Sequence, residues 1–181
     1  MTSKILSYVQ YIYSLLLTLV NYKHYKNTIN LKNSKNNKSL FIFGNFKSIN
    51  LLDPKKIKKY TNKNFDVIAM NNYLASDFSK NVKPNYYLLA DKRMVILNKK
   101  NLDKKKFLDL SKTHKILKNI KTQIFIPIRY RKINYFNNKI FYFNDGYIKN
   151  SKNIKNIIMP TSLFSLSGLK AISIGSYLGY K

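Results

Sequence analysis

The sequence contains no cysteine and no glutamate. Without thiols, disulfide frameworks, thiolate zinc sites and cysteine nucleophiles are excluded, and nothing points to an oxidising compartment. Imidazole is nearly as scarce, since only His24 and His114 supply it. The seven acidic residues are all Asp: Asp53, Asp66, Asp77, Asp91, Asp103, Asp109 and Asp145. A carboxylate metal cluster would draw most of them into one place, so no metal site is expected. Long apolar runs are also missing. The most apolar stretch, residues 5–20, is broken by Ser7, Gln10, Ser14 and Thr18 and falls short of the ~20 apolar residues that a membrane span requires.

What is present in excess is positive charge and apolar bulk. The 181 residues carry 34 Lys and Arg, for a formal charge of +27, alongside 45% hydrophobic and 14% aromatic residues. That length admits one domain with a real core, and the apolar content excludes wholesale disorder. Only Arg93, Arg129 and Arg131 are Arg. Lys, Asn, Ile and Tyr, the abundant types, share A/U-rich codons, so the charge reads first as a Lys-coated, solvated surface. Sequence-specific readers of nucleic acid concentrate Arg for its bidentate fork, whereas here Lys is scattered, so nucleic acid is not the expected partner. The field attracts anions as a class: acidic lipid headgroups, phosphorylated sugars and nucleotides.

Residues 1–22 read as an N-terminal apolar helix, with Ile5, Leu6, Val9, Tyr13, Leu16, Leu17 and Val20 at helical spacing. Tyr8, Tyr11, Tyr13 and Tyr22, followed by Lys23, Lys26, Lys32 and Lys35, suit an amphipathic helix at an anionic membrane surface. A helix packed on the domain and a true anchor are the alternatives. Residues 23–38 read as a polar Lys/Asn linker. From 39 to 181, short apolar strands alternate with helical stretches: Ser39–Phe43, Phe65–Met70, Asn85–Ala90, Gln123–Ile128 and Lys139–Phe143 as strands, and Lys99–Lys118 and Ser162–Leu178 as helices. Asp53 followed by Pro54 is the start of another helix, with Asp as N-cap and Pro in the first turn. The alternation predicts an α/β fold, a Rossmann-like, mostly parallel sheet with flanking helices.

Ligands of such sheets sit beyond the carboxyl ends of the strands. The first strand is followed by Gly44, Asn45, Phe46, Lys47 and Ser48, the second by Asn71 and Asn72, the third by Asp91, Lys92 and Arg93. A Gly-led turn exposes backbone N–H groups, Asn amides read base and ribose edges, and Ser hydroxyls bond phosphate. Such residues suit a nucleotide, and they equally suit ordinary turns in an Asn-rich chain. His24, in the linker, and His114, in a Lys-rich helix, are expected to be exposed.

Three segments carry a resemblance. FIFGNFKSINLLD resembles the strand and loop of the bacterial lipooligosaccharide sialyltransferases, whose loop reads GNGPSL. DVIAMNNYLASD resembles their second-strand motif, and SGLKAISIGSYLGYK, residues 167–181, matches their Ser-Gly, helix and Leu-Gly-Tyr-Lys pattern in spacing. KPNYYLLAD is similar to related domains of surface-polysaccharide loci. The resemblance covers residues 40–95 and 160–181. It implies a glycosyltransferase taking a CMP-activated sugar, with a glycan acceptor, without a metal, in the bacterial cytoplasm at the inner membrane face. Gly44, Asn45 and Ser48 would then hold the nucleotide monophosphate, Asn71 would contact it from the second strand, and Ser167 and Gly168 would meet sugar or phosphate. The family neutralises its leaving phosphate with side chains, often Tyr hydroxyls, for which Tyr130 and Tyr147 are candidates here.

This chain departs from the family in carrying Phe46 and Lys47 where the loop has Gly-Pro. The family also continues past Leu-Gly-Tyr-Lys into another strand and a catalytic His, so the reading is of an incomplete domain without its catalytic base. Two rivals stand beside it. A pterin pyrophosphokinase-like domain would need Mg²⁺ and more strand-end carboxylates than Asp91 alone. A basic nucleic-acid or membrane-binding module would bind with steep salt dependence.

Overall fold

The computed structural model describes residues 2–36, 38–44, 49, 51–61, 64–96, 104–132, 139–146, 156–159 and 166–181. Among these residues five strands, β1 (Ser39–Phe43), β2 (Phe65–Met70), β3 (Tyr86–Leu88), β4 (Gln123–Pro127) and β5 (Ile140–Phe143), form one sheet in the order β1-β2-β3-β4-β5, every pair parallel. The three inner strands, β2, β3 and β4, are buried on both faces, the pattern of parallel strands covered by helices, while the edge strands β1 and β5 are partly exposed. The fold is Rossmann-like α/β, as the alternation predicts.

Strand order follows chain order, so the crossovers all advance in one direction, and right-handed connections then place them on one face. That face holds α3 (Pro54–Thr61), a 3₁₀ turn at Tyr73–Ala75, α4 (Phe78–Asn81) and α6 (Lys104–Asn119). Its core joins Val67, Ala69, Tyr87, Ile124 and Ile126 from the strands to Phe78, Leu110 and Leu117 from the helices. Short α5 (Lys92–Val95) follows β3. The opposite face carries α7 (Ser167–Leu178), whose Ala171, Ile174, Tyr177 and Leu178 pack with Ile68, Met70, Tyr86, Leu88, Phe125 and Phe141. Asp53 caps α3, its carboxylate accepting from the Lys55 N–H at 2.8 Å, with Pro54 as the first helical residue.

Within residues 23–38, expected as a polar linker, 23–29 are helical and 30–36 form turns. Helix α2 (Tyr22–Ile29) buries Tyr25 and Thr28 along β5. The Thr28 hydroxyl donates to the Tyr142 carbonyl and accepts its N–H, both at 3.0 Å, so one side chain satisfies an edge that would otherwise be open for strand addition. The turn beyond it meets the end of α7: Asn33 N–H donates to Tyr177 O at 3.0 Å and Lys35 N–H to Leu178 O at 2.8 Å. Buried Asp66 ties this end together, accepting from the Tyr180 hydroxyl and facing Lys35 Nζ at 3.6 Å and Lys38 Nζ at 3.7 Å. Composition concealed this because the packed residues, Tyr25, Thr28 and Leu31, are outnumbered by exposed Lys and Asn.

His114 also departs from expectation. It is 6% exposed, because Leu110, Thr113, His114 and Leu117 form the stripe of α6 that faces the sheet. His24 is half-buried, edge-on to Tyr142 at 6.0 Å.

Candidate functional site

Among the described residues the strand order has no reversal, so these strands offer no topological switch point. A crevice must come from what overhangs the carboxyl edge. Helix α7 provides the overhang. It packs over β1 and β2 and runs against the strand direction: Gly179 lies against Asn33 and Asn36, and Lys181 N–H donates to Lys38 O just before β1. Ser167 and Gly168 therefore open α7 at the carboxyl edge.

Gly44 and Asn71 leave the neighbouring strands β1 and β2 at this same edge. Asn71 sits at φ 56°, a left-handed conformation that Asn tolerates better than other side-chain-bearing residues, and its carbonyl accepts the Tyr87 hydroxyl. The backbone turn alone accounts for Asn at this position. Its neighbour Asn72 keeps a buried side-chain oxygen that has no hydrogen-bond partner among the described residues. A Cβ placed on Gly168 would meet nothing within 4 Å. Asn45, Phe46, Lys47 and Ser48 of the first loop, and Tyr147, lie outside the described residues.

The most chemically distinctive group at this edge lies outside the residues expected from sequence. Arg129, two residues beyond β4, pairs through its guanidinium with the carboxylate of Asp145, two residues beyond β5. From the first turn of α7, buried Lys170 reaches toward them, its ammonium 5.9 Å from the centre of the Phe143 ring. Asp91, beyond β3, acts on the same field. Burial pulls the Lys170 ammonium below its ordinary pKa, while Asp145 pushes it back up. Arg129 remains 59% exposed at its side chain, so donors that Asp145 does not engage face solvent. Two hydroxyls adjoin the group. Burial raises the pKa of Tyr130, whose ring lies 5.2 Å from the Arg129 guanidinium carbon, and of Tyr25, which feels Asp145. Both stay protonated and can donate. The signal was available: the residues just past the fourth and fifth strands include Arg129 and Asp145, as those past the first three include Gly44, Asn71 and Asp91. Lys170 gave no signal beyond one Lys in an otherwise apolar helix.

Burial raises the Asp145 carboxyl from its ordinary pKa, against the lowering pull of Arg129 and Lys170. Between the ordinary and the raised value, the folded chain holds a proton that the unfolded chain has released. This group therefore costs nothing below the ordinary value and subtracts stability as pH rises through the folded one. Asp145→Asn is expected to flatten that slope, as read from urea midpoints between about pH 4 and about pH 8. An identical slope in the variant would show that Asp145 is not the titrating group.

No protein-family model matches this sequence, and no curated protein matches it. Among solved structures, the MAf glycosyltransferase from Magnetospirillum magneticum AMB-1 shares the fold with a TM-score of 0.52 at 14% identity. The match covers 84% of this chain and 25% of that one, so the chain spans about a quarter of that protein's length.

Proposed function

We propose that this chain is the nucleotide-binding part of a glycosyltransferase that takes a CMP-activated sugar, of the sialic acid type, for a surface glycan at an anionic membrane face. The observation that carries the reading is the Arg129, Asp145 and Lys170 group at the carboxyl edge of an all-parallel sheet whose fold a glycosyltransferase shares. When the bond from the sugar to the donor phosphate breaks, negative charge develops on the phosphate. Arg129 and Lys170 supply the compensating charge, Asp145 holds the Arg129 fork in place, and the Tyr130 hydroxyl is a neutral donor beside it. The carboxyl ends of β2 and β5 are three strand spacings apart, about 14 Å, within the length of an extended nucleotide sugar. In place of the monophosphate role that the resemblance implies, Gly44, Asn45, Ser48 and Asn71 then serve the nucleoside side of the site, with Ser167 and Gly168 at the start of α7.

The test is calorimetric titration of the purified chain with CMP, UMP and AMP. CMP is expected to bind tightest. Arg129→Gln or Lys170→Met is expected to weaken it about tenfold to a hundredfold while leaving far-UV circular dichroism unchanged. Equal binding of the three nucleotides, or variants that bind CMP like the parent, would overturn the reading. RNA binding stronger than CMP binding, with steep salt dependence, would favour a basic nucleic-acid module instead.

A further inference from the structure

Helix α1 (Thr2–Val20) is mounted with its polar side inward. Ser14 and Thr18 are its buried residues among those described, and Asn21, directly after the helix, continues their stripe at a spacing of three. Asn144, just past β5, donates to Thr18 Oγ1 at 2.9 Å and to Ser14 Oγ at 3.4 Å, and Thr18 donates in turn to Ile158 O at 3.2 Å. Gly146 makes this approach possible, since a Cβ there would lie 2.4 Å from Ser14 Oγ. The apolar side faces out: Ile5, Val9, Ile12, Leu16, Leu19 and Val20 are between 44% and 73% exposed. An apolar stripe turned to solvent over a helix about 28 Å long calls for a cover.

The covering partner is indicated by charge. Residues 1–52 contain seven Lys and no acidic residue. Lys23 and Lys26 follow the helix directly, on exposed faces of α2. No helix among the described residues is long and apolar enough to cross a membrane. Exposed lysines directly after an apolar stripe on a non-spanning helix, in a segment without acidic residues, match an anionic bilayer, with the stripe in the acyl boundary and the lysines among headgroups.

We infer that α1 is an in-plane lipid-binding helix that holds the carboxyl edge of the sheet, with the Arg129, Asp145 and Lys170 group, against an anionic bilayer. The seam at Asn144 and Gly146 sets the orientation, because it fixes α1 one residue from Asp145 on either side. The placement of a site at the bilayer rests on the function proposed above, whereas lipid binding itself is measured without any nucleotide.

The sequence has no Trp, so a single introduced Trp reports without background. Leu16→Trp lies on the outward stripe, and Tyr60→Trp on α3 lies on an exposed face over the other end of the sheet. Vesicles of phosphatidylglycerol and brominated phosphatidylcholine are expected to bind the full chain and to quench the reporter at 16 but not at 60. Pure phosphatidylcholine is expected to bind at least about tenfold more weakly. Leu16→Lys with Leu19→Lys, both at exposed positions, is expected to weaken binding at least about tenfold with unchanged circular dichroism. Equal binding to neutral vesicles, no quenching at 16 in bound protein, or equal quenching at 60 would each overturn the inference. So would a dimer in lipid-free solution that the Lys pair abolishes, because the stripe would then be a protein interface. Failure of CMP to bind, with the vesicle results intact, would count against the proposed function alone.

Discussion

Phe125→Ala is expected to lower the unfolding free energy by about 3–5 kcal/mol, the cost of deleting a fully buried aromatic ring that its surroundings cannot refill. Phe125 has no exposed surface and lies on β4, next to the edge strand. Its ring stacks on Phe141 at 5.3 Å and is tilted against Tyr86 at 5.9 Å, so it joins β3, β4 and β5 under α7. A domain of ordinary stability, about 5–15 kcal/mol, loses a large part of it to this one change. Phe125→Leu keeps most of the volume and is expected to cost less than half as much. Urea unfolding followed by circular dichroism gives both numbers. Equal, small losses in the two variants would show that the ring is not packed as described.

Gly179→Val is expected to cost about 3 kcal/mol for a different reason. Gly179 closes α7 at φ 94°, with its N–H donating to Ser176 O at 3.2 Å and the Tyr180 N–H to Gly175 O at 3.1 Å, a Schellman motif. A left-handed conformation costs an L-residue about 1–2 kcal/mol, and a β-branched one more. A Cβ would also lie 2.5 Å from Asn36 Oδ1 and 3.0 Å from the Asn33 Cα, and the latter is backbone that cannot rotate away. The turn after α2 would have to leave α7, taking with it the bonds from Asn33 and Lys35. Gly168→Ala is the control, since that position faces open space, and it is expected to be neutral or stabilising by up to about 1 kcal/mol. A loss below about 0.5 kcal/mol for Gly179→Val would mean that the helix end is free to rearrange.

Much of the sheet was legible because parallel strands bury both faces and so appear as unbroken apolar runs. Ser39–Phe43 and Phe65–Met70 begin and end where their runs do, and Asp53-Pro54 marks the start of α3. Boundaries blur where an apolar residue continues past the last ladder bond. Leu89 and Ala90 are buried but lie beyond β3, and Ile128 enters a 3₁₀ turn.

Local pattern alone therefore determined the α/β class, the start of α3, a helix over residues 5–20 and the carboxyl edge as the place to look for a site. Tertiary structure decided the rest. Periodicity names the apolar stripe of α1 but cannot say which way it faces, and only the bonds from Asn144 and to Ile158 turn its polar stripe inward. Composition marked residues 23–38 as solvated, yet Thr28 pairs with an edge strand more than a hundred residues away. Arg129, Asp145 and Lys170 are dispersed among lysines and loops in sequence, and they become a group only because β4 and β5 end, and α7 begins, at one edge. Each of these contacts joins residues distant in the chain, and one-dimensional patterns report which residues are buried without recording against what.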